Sequence, residues 1–328
     1  MRLNLKTTVL SLLLITSFSS HADFTQGVTA YKNNDFEKAI AIFEDLARKN
    51  DARSQFALGL MYDNGNGVAS DKEKALKWYI AGAENGNRKA QYNLAMLYHN
   101  GEGTDVDEEK AALWYGKAAV GGNKDAVSRV HDLAEEGIPV AQFYTGNLYR
   151  IGKAGMPKNI KHAFSWYEKA AEASHTRAQY NLALLYANGQ GIAKNTNLAK
   201  DWYEKAAYAG SAKAQYNLSL ILLNQSSNDQ AIKWLKKAAD QNNLKAQITL
   251  AQIYEEGDVL PHNQRSAVKW YLRAAESGDQ EAQNYVGYLY LKGLGVEQNN
   301  KLALSWFSKA AQQGLPEAEA NKKTLIGS

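Results

Sequence analysis

The sequence contains no cysteine. That excludes a disulfide framework, thiol catalysis, thiolate metal sites and a lipid-anchored cysteine, so stability has to come from packing. Proline is scarce, at four residues in 328, and no proline-rich, linker or low-complexity stretch interrupts the chain. Excess charge of one sign is missing as well. Without Arg2 and Lys6 the balance is 36 basic against 34 acidic residues, which gives no electrostatic case for nucleic acid. After Phe18 no apolar run approaches the length of a membrane span.

What stands at the start is a leader pattern. Arg2 and Lys6 precede an apolar run from Thr8 to Phe18, and Ser20-His21-Ala22 places small residues where a signal peptidase reads. The expectation is a signal peptide over 1–22, cut after Ala22, and a bacterial periplasmic or secreted mature protein with no transmembrane segment.

The rest is dominated by one repeated stretch, best seen at Ala178 to Ala212. Ala178, Leu182, Leu185 and Tyr186 share one face of a helix, Gly189-Gln190-Gly191-Ile192 turns the chain, and Leu198, Ala199, Trp202, Tyr203 and Ala206 share one face of a second helix. A hairpin of this kind cannot bury its apolar side alone, but a stack can. The opening alanine recurs at Ala90, Ala126, Ala141, Ala178, Ala214, Ala246, Ala282 and Ala318, with Ser54 before them, in steps of 36, 36, 15, 37, 36, 32, 36 and 36. All seven tryptophans (Trp78, Trp114, Trp166, Trp202, Trp234, Trp270, Trp306) fall at one repeat position and are expected to fill the space between hairpins.

The chain therefore divides into 1–22, a tetratricopeptide-like hairpin at 23–50, repeats at 51–123, a truncated single-helix repeat at 124–137, repeats at 138–314 and a capping helix at 315–328. The step of 37 traces to an extra residue in the Gly152–Met156 loop, and the step of 32 to the shorter loop at Asn224–Asn228. The single helix at 124–137 is expected to change the alternation of the stack.

These motifs resemble the Sel-one-like repeat family, whose pattern Ala-x-Tyr-x-Leu-Gly-x-x-Tyr-x-x-Gly-x-Gly-Val and Lys-Ala-x-x-Trp-Tyr-x-x-Ala-Ala is matched closely by 88–119 and 175–207. The resemblance implies an all-α, right-handed α-solenoid of antiparallel helix pairs that acts as a scaffold or adaptor for protein assembly. Some bacterial members are linked to envelope assembly, signalling or host interaction. A cysteine-rich branch is assigned penicillin binding or β-lactamase activity; this cysteine-free chain departs from it.

No chemistry-bearing constellation accompanies the repeat. His99, His131, His162, His175 and His262 lack metal-ligand spacing, there is no HExxH and no G-x-S-x-G, and the Gly-x-Gly loops lack the Lys-Ser/Thr of a phosphate cradle. The expectation is no enzyme, no cofactor and no metal. A binding surface is the better candidate. Lys89, Arg177 and Lys213 precede the marker alanine, followed by Tyr92, Tyr180 and Tyr216 and by Asn93, Asn181 and Asn217. If first helices line a concave face, as in tetratricopeptide stacks, the amides can bond a peptide backbone, the rings take its side chains and the cations attract its carboxylates. The expected function is a non-catalytic envelope scaffold binding a protein or peptide partner, with oligomeric state open. The alternatives are a secreted surface- or host-interaction factor, and a cell-wall-active enzyme or muropeptide binder.

Overall fold

A computed structural model describes residues 23–327. The leader expected over 1–22 lies outside the described residues. Eighteen helices account for the described secondary structure, with no strand among these residues. The chain forms two compact units. The unit ending at Asp107 holds α1 (Phe24–Lys32), α2 (Phe36–Arg48), α3 (Ala52–Asn64), α4 (Lys72–Glu84) and α5 (Arg88–Asn100). The unit beginning at Glu108 opens with α6 (Glu108–Val120), α7 (Asp125–Glu135), α8 (Pro139–Ile151) and α9 (Ile160–Glu172). It continues through α10 (Thr176–Asn188), α11 (Thr196–Tyr208), α12 (Ala212–Asn224), α13 (Asn228–Asp240) and α14 (Leu244–Glu256). It closes with α15 (Gln264–Glu276), α16 (Gln280–Lys292), α17 (Asn300–Gln312) and α18 (Pro316–Gly327).

Helix starts follow local chemistry. Asp51, Asn87, Ser211, Asn243 and Asp279 accept the backbone N–H three residues on and cap α3, α5, α12, α14 and α16. Gly65, Gly101, Gly189 and Gly293 end α3, α5, α10 and α16 in the left-handed conformation. The second glycine of the inner loop is constrained twice. Gly103 has φ +71°, and a Cβ there would lie 2.5 Å from the carbonyl oxygen of Lys72, at the start of α4. The loop thus rests directly on the backbone of the preceding second helix, and no larger residue fits.

Within each unit, hairpin packs on hairpin through the marker alanines and the alanine pairs; Ala90, Ala141, Ala178, Ala214 and Ala246 are fully buried. The tryptophans differ from expectation. Trp114, Trp166, Trp234 and Trp270 are buried, whereas Trp78, Trp202 and Trp306 are only partly so. The deepest position is the next residue: Tyr79, Tyr115, Tyr167, Leu235 and Phe307 are at most 1% exposed. The tryptophan sits at the margin, where a cation three residues on covers its outer face. Lys117, Lys169, Lys205, Lys237 and Lys309 hold Nζ 3.8–4.4 Å from the centroids of Trp114, Trp166, Trp202, Trp234 and Trp306, and Arg273 covers Trp270 at 4.9 Å.

The ring that goes deepest demands a small residue opposite. A Cβ on Gly59 would lie 2.4 Å from Tyr79, one on Gly146 2.7 Å from Tyr167, and one on Gly287 2.7 Å from Phe307. At 125–135 the alternation breaks. One helix, α7, stands where a pair would, and α6, α7 and α8 pack mutually, with Gly116 of α6 admitting the Tyr144 ring of α8.

A further regularity was not legible in the spacing of apolar residues. The glutamine after the marker alanine is buried and reaches back to the end of the preceding helix. Gln55, Gln142, Gln179, Gln215, Gln247 and Gln283 each donate through Nε2 to the carbonyl eight residues earlier, at 3.0–3.3 Å, and Gln91 does the same to Ala83. One rung of this kind ties each hairpin to the next.

Candidate functional site

The residues singled out from sequence lie on the first helices of their repeats. Lys89, Tyr92 and Asn93 belong to α5 in the first unit; Arg177, Tyr180 and Asn181 to α10 and Lys213, Tyr216 and Asn217 to α12 in the second. Lys89, Arg177 and Lys213 are exposed, and the tyrosines and asparagines are half-buried. The three cations make no salt bridge among the described residues. Arg177 instead lies beside Tyr144 along one hollow.

The asparagines hold the interior together. Asn93 Nδ2 donates to Tyr79 Oη at 3.0 Å, and Tyr79 in turn donates to Asp63 at 3.0 Å. Asn217 repeats the donation on Tyr203 at 3.0 Å. Tyr167 also donates to Asn147 at 2.9 Å and accepts from Arg150 at 3.1 Å. The buried hydroxyls of Tyr79, Tyr167 and Tyr203 are therefore each partnered, as buried polar groups generally are. Burial pushes the Tyr203 phenol up to about 12 and Tyr79 further, so both stay neutral. At Asn93 and Asn217 one amide N–H is thus committed inside the repeat rather than left for a peptide backbone.

What the network leaves at the surface is a ring beside a cation. Tyr180 packs against Tyr203 with centroids 5.9 Å apart, as Phe56 does on Tyr79 and Phe143 on Tyr167, both at 6.1 Å. Hollows open beside these rings. One of about 450 Å³ is lined by Phe24, Arg53, Phe56, Arg88 and Lys89. Another, of about 410 Å³, is lined by Phe143, Tyr144, His175 and Arg177. The arrangement suits an anionic group beside an apolar one.

His175 caps α10, its Nδ1 accepting from Ala178 N at 3.2 Å, and stacks 4.7 Å from Phe143. Burial, helped by Arg177, depresses its pKa to about 4. No group of three or more His, Asp or Glu among the described residues has the arrangement of a metal site. No described helix is long and apolar enough to cross a membrane.

The Sel1 repeat model matches seven successive segments: 52–87, 88–123, 139–175, 176–211, 212–243, 244–279 and 280–315. The chain belongs to the Sel1 repeat family. The unmatched stretch between 123 and 139 is where α7 stands alone. A Sel1 repeat protein from Oxalobacter formigenes is similar over 92% of this chain and 86% of its own, at 28% identity and TM-score 0.57. A protective antigen present in uropathogenic Escherichia coli strains, displaying an SLR fold, is 27% identical over 93% of this chain and 79% of its own, with TM-score 0.47. No curated protein sequence matches the chain. Family membership and the helical repeat fold suggest protein partners for this Sel1 repeat protein.

Proposed function

We propose that this Sel1 repeat protein is a non-catalytic scaffold of the bacterial cell envelope that binds extended protein or peptide segments on the first helices within each unit. The observation that carries this reading is the repeated pairing of an exposed cation with a half-buried ring: Lys89 with Tyr92, Arg177 with Tyr180, Lys213 with Tyr216. The Tyr180 ring packs on Tyr203, which Asn217 holds by a hydrogen bond, so a ligand there meets a surface already ordered, which lowers the entropic cost of binding. Carboxylates of the segment would pair with the cations and its side chains would lie on the rings. The envelope placement rests on the leader pattern in residues 1–22.

The test is photo-crosslinking in cells from Tyr92, Tyr180 and Tyr216, with exposed Lys269 and Lys301 on second helices as controls. Capture of one envelope protein from the tyrosine sites alone supports the reading. Capture from the controls alone overturns the first-helix face as the binding surface.

A further inference from the structure

The position before the marker alanine changes sign along the chain. It is basic at Arg53 and Lys89, acidic at Asp125, apolar at Val140, basic again at Arg177, Lys213 and Lys245, and acidic at Glu281 and Glu317. Beside Glu281 and Glu317 the second unit opens a cleft of about 690 Å³ between α14, α16 and α18. Its floor is apolar and aromatic, from Ile248, Tyr271, Tyr285, Ala282 and Leu315. Its walls carry Glu255, Glu256, Asp279, Glu281 and Glu317. None of these five carboxylates forms a salt bridge among the described residues.

Neutral donors occupy part of this acid set without removing its charge. Tyr271 donates to Glu255 at 3.0 Å, Tyr285 donates to the other oxygen of Glu255, and Asp279 accepts the backbone N–H of Ala282 at 2.8 Å. Glu256, Glu281 and Glu317 remain exposed at the rim. The Tyr271 and Tyr285 rings meet edge to face at 4.7 Å, and Tyr285 stacks on Tyr288 at 6.1 Å. A cleft with an apolar and aromatic floor and unneutralised carboxylates on its walls is the complement of a planar cation on an aliphatic stem.

We infer that this cleft is the docking site for an arginine side chain on an extended partner segment. A guanidinium lies flat on a tyrosine face while its N–H groups reach two carboxylates, which an ammonium cannot do in the same geometry. The volume holds the side chain together with flanking backbone. The inference rests on the first-helix face being the binding surface, and it adds polarity: the partner presents acidic residues to Arg177, Lys213 and Lys245 and arginine to the cleft.

The probe is a fluorescent, terminally blocked peptide Gly-Ala-Arg-Ala-Arg-Ala-Gly, with versions carrying lysine or glutamate in place of arginine, read by anisotropy on the full chain. The arginine peptide is expected to bind, the lysine version more weakly, and the glutamate version not at all. Glu281→Lys with Glu317→Lys should weaken the arginine peptide by at least about tenfold. Asp201→Lys with Asp229→Lys, exposed on second helices and equal in charge change, should shift it by less than about twofold. Equal loss in both pairs, or no binding to the unmutated chain, overturns the proposal. Failure of the wider reading is seen separately: Arg177→Glu with Lys213→Glu would then leave the crosslinks from Tyr180 and Tyr216 unchanged.

Discussion

The buried glutamine shows how one side chain can be right in type and incomplete in partners. Gln55, Gln215 and Gln283 spend Nε2 on a backbone carbonyl, and their Oε1 accepts from Asn85, Gln241 and Gln313, which end the following second helices. Where that helix ends in Ala173, Ala209 or Ser277, the acceptors of Gln142, Gln179 and Gln247 are buried without a partner. An unpaired buried acceptor is costly, so Gln241→Ala should lower stability by about 1 kcal/mol, and Ala209→Gln should raise it by up to about 1 kcal/mol. Thermal melts of the two variants check both signs. His175 offers a second test. Its folded pKa, near 4, lies below the usual 6.5, so below pH 6.5 the unfolded chain takes up a proton the folded chain refuses. Its contribution is complete above pH 6.5 and is lost as the pH falls toward 4, by at most about 3 kcal/mol. His175→Asn, using the cap residue found at Asn87 and Asn243, should remove that component from the pH dependence of Tm, and an unchanged pH profile would contradict the cap's role.

At the scale of the helix, tryptophan was the loudest signal in the sequence, yet it marks the margin of the core. Periodicity identifies a face but does not rank depth on it. Trp202 and Tyr203 are adjacent, and only the structure shows that Tyr203 lies inward while Trp202 leans out beneath Lys205. Trp202→Ala should therefore cost clearly less than the roughly 3–5 kcal/mol expected of a fully buried aromatic, and Tyr203→Ala should approach that range. Chemical denaturation of the pair decides it. Helix pairs, inner loops and the isolated helix at 125–135 could be read from alanine and glycine spacing, because those residues answer to local geometry. The asparagines could not. Asn93 looks like a free amide until Tyr79, fourteen residues away, is seen to need it. The acidic cleft was equally illegible, since Glu255, Glu281 and Glu317 line one hollow only once three helices have been stacked.

For the molecule as a whole, stability is distributed rather than central. A repeat stack gains from nearest neighbours, so its exposed end has one interface instead of two. In the second unit that end is α18, which buries Ala318 alone and pairs Lys322 and Lys323 with its own Glu319. Amide exchange should be fastest in α18 and slowest in α14 to α16, where Leu250, Val286 and the alanine pairs are fully enclosed. Uniform protection across α14 to α18 would mean that the unit opens as a block.

The glutamine rung has a consequence for how such a chain changes length. Every rung spans eight residues, in regular repeats and at Gln142 on the far side of α7 alike. The departures from 36 residues (the 37, the 32 and the 15) all arise upstream of that span, in inner loops or in the lost half-hairpin. The turn between repeats therefore works as a fixed coupling, and the loop inside a repeat as the free splice. A cassette exchanged at inner loops keeps every coupling intact. One exchanged between carbonyl and glutamine has to rebuild it.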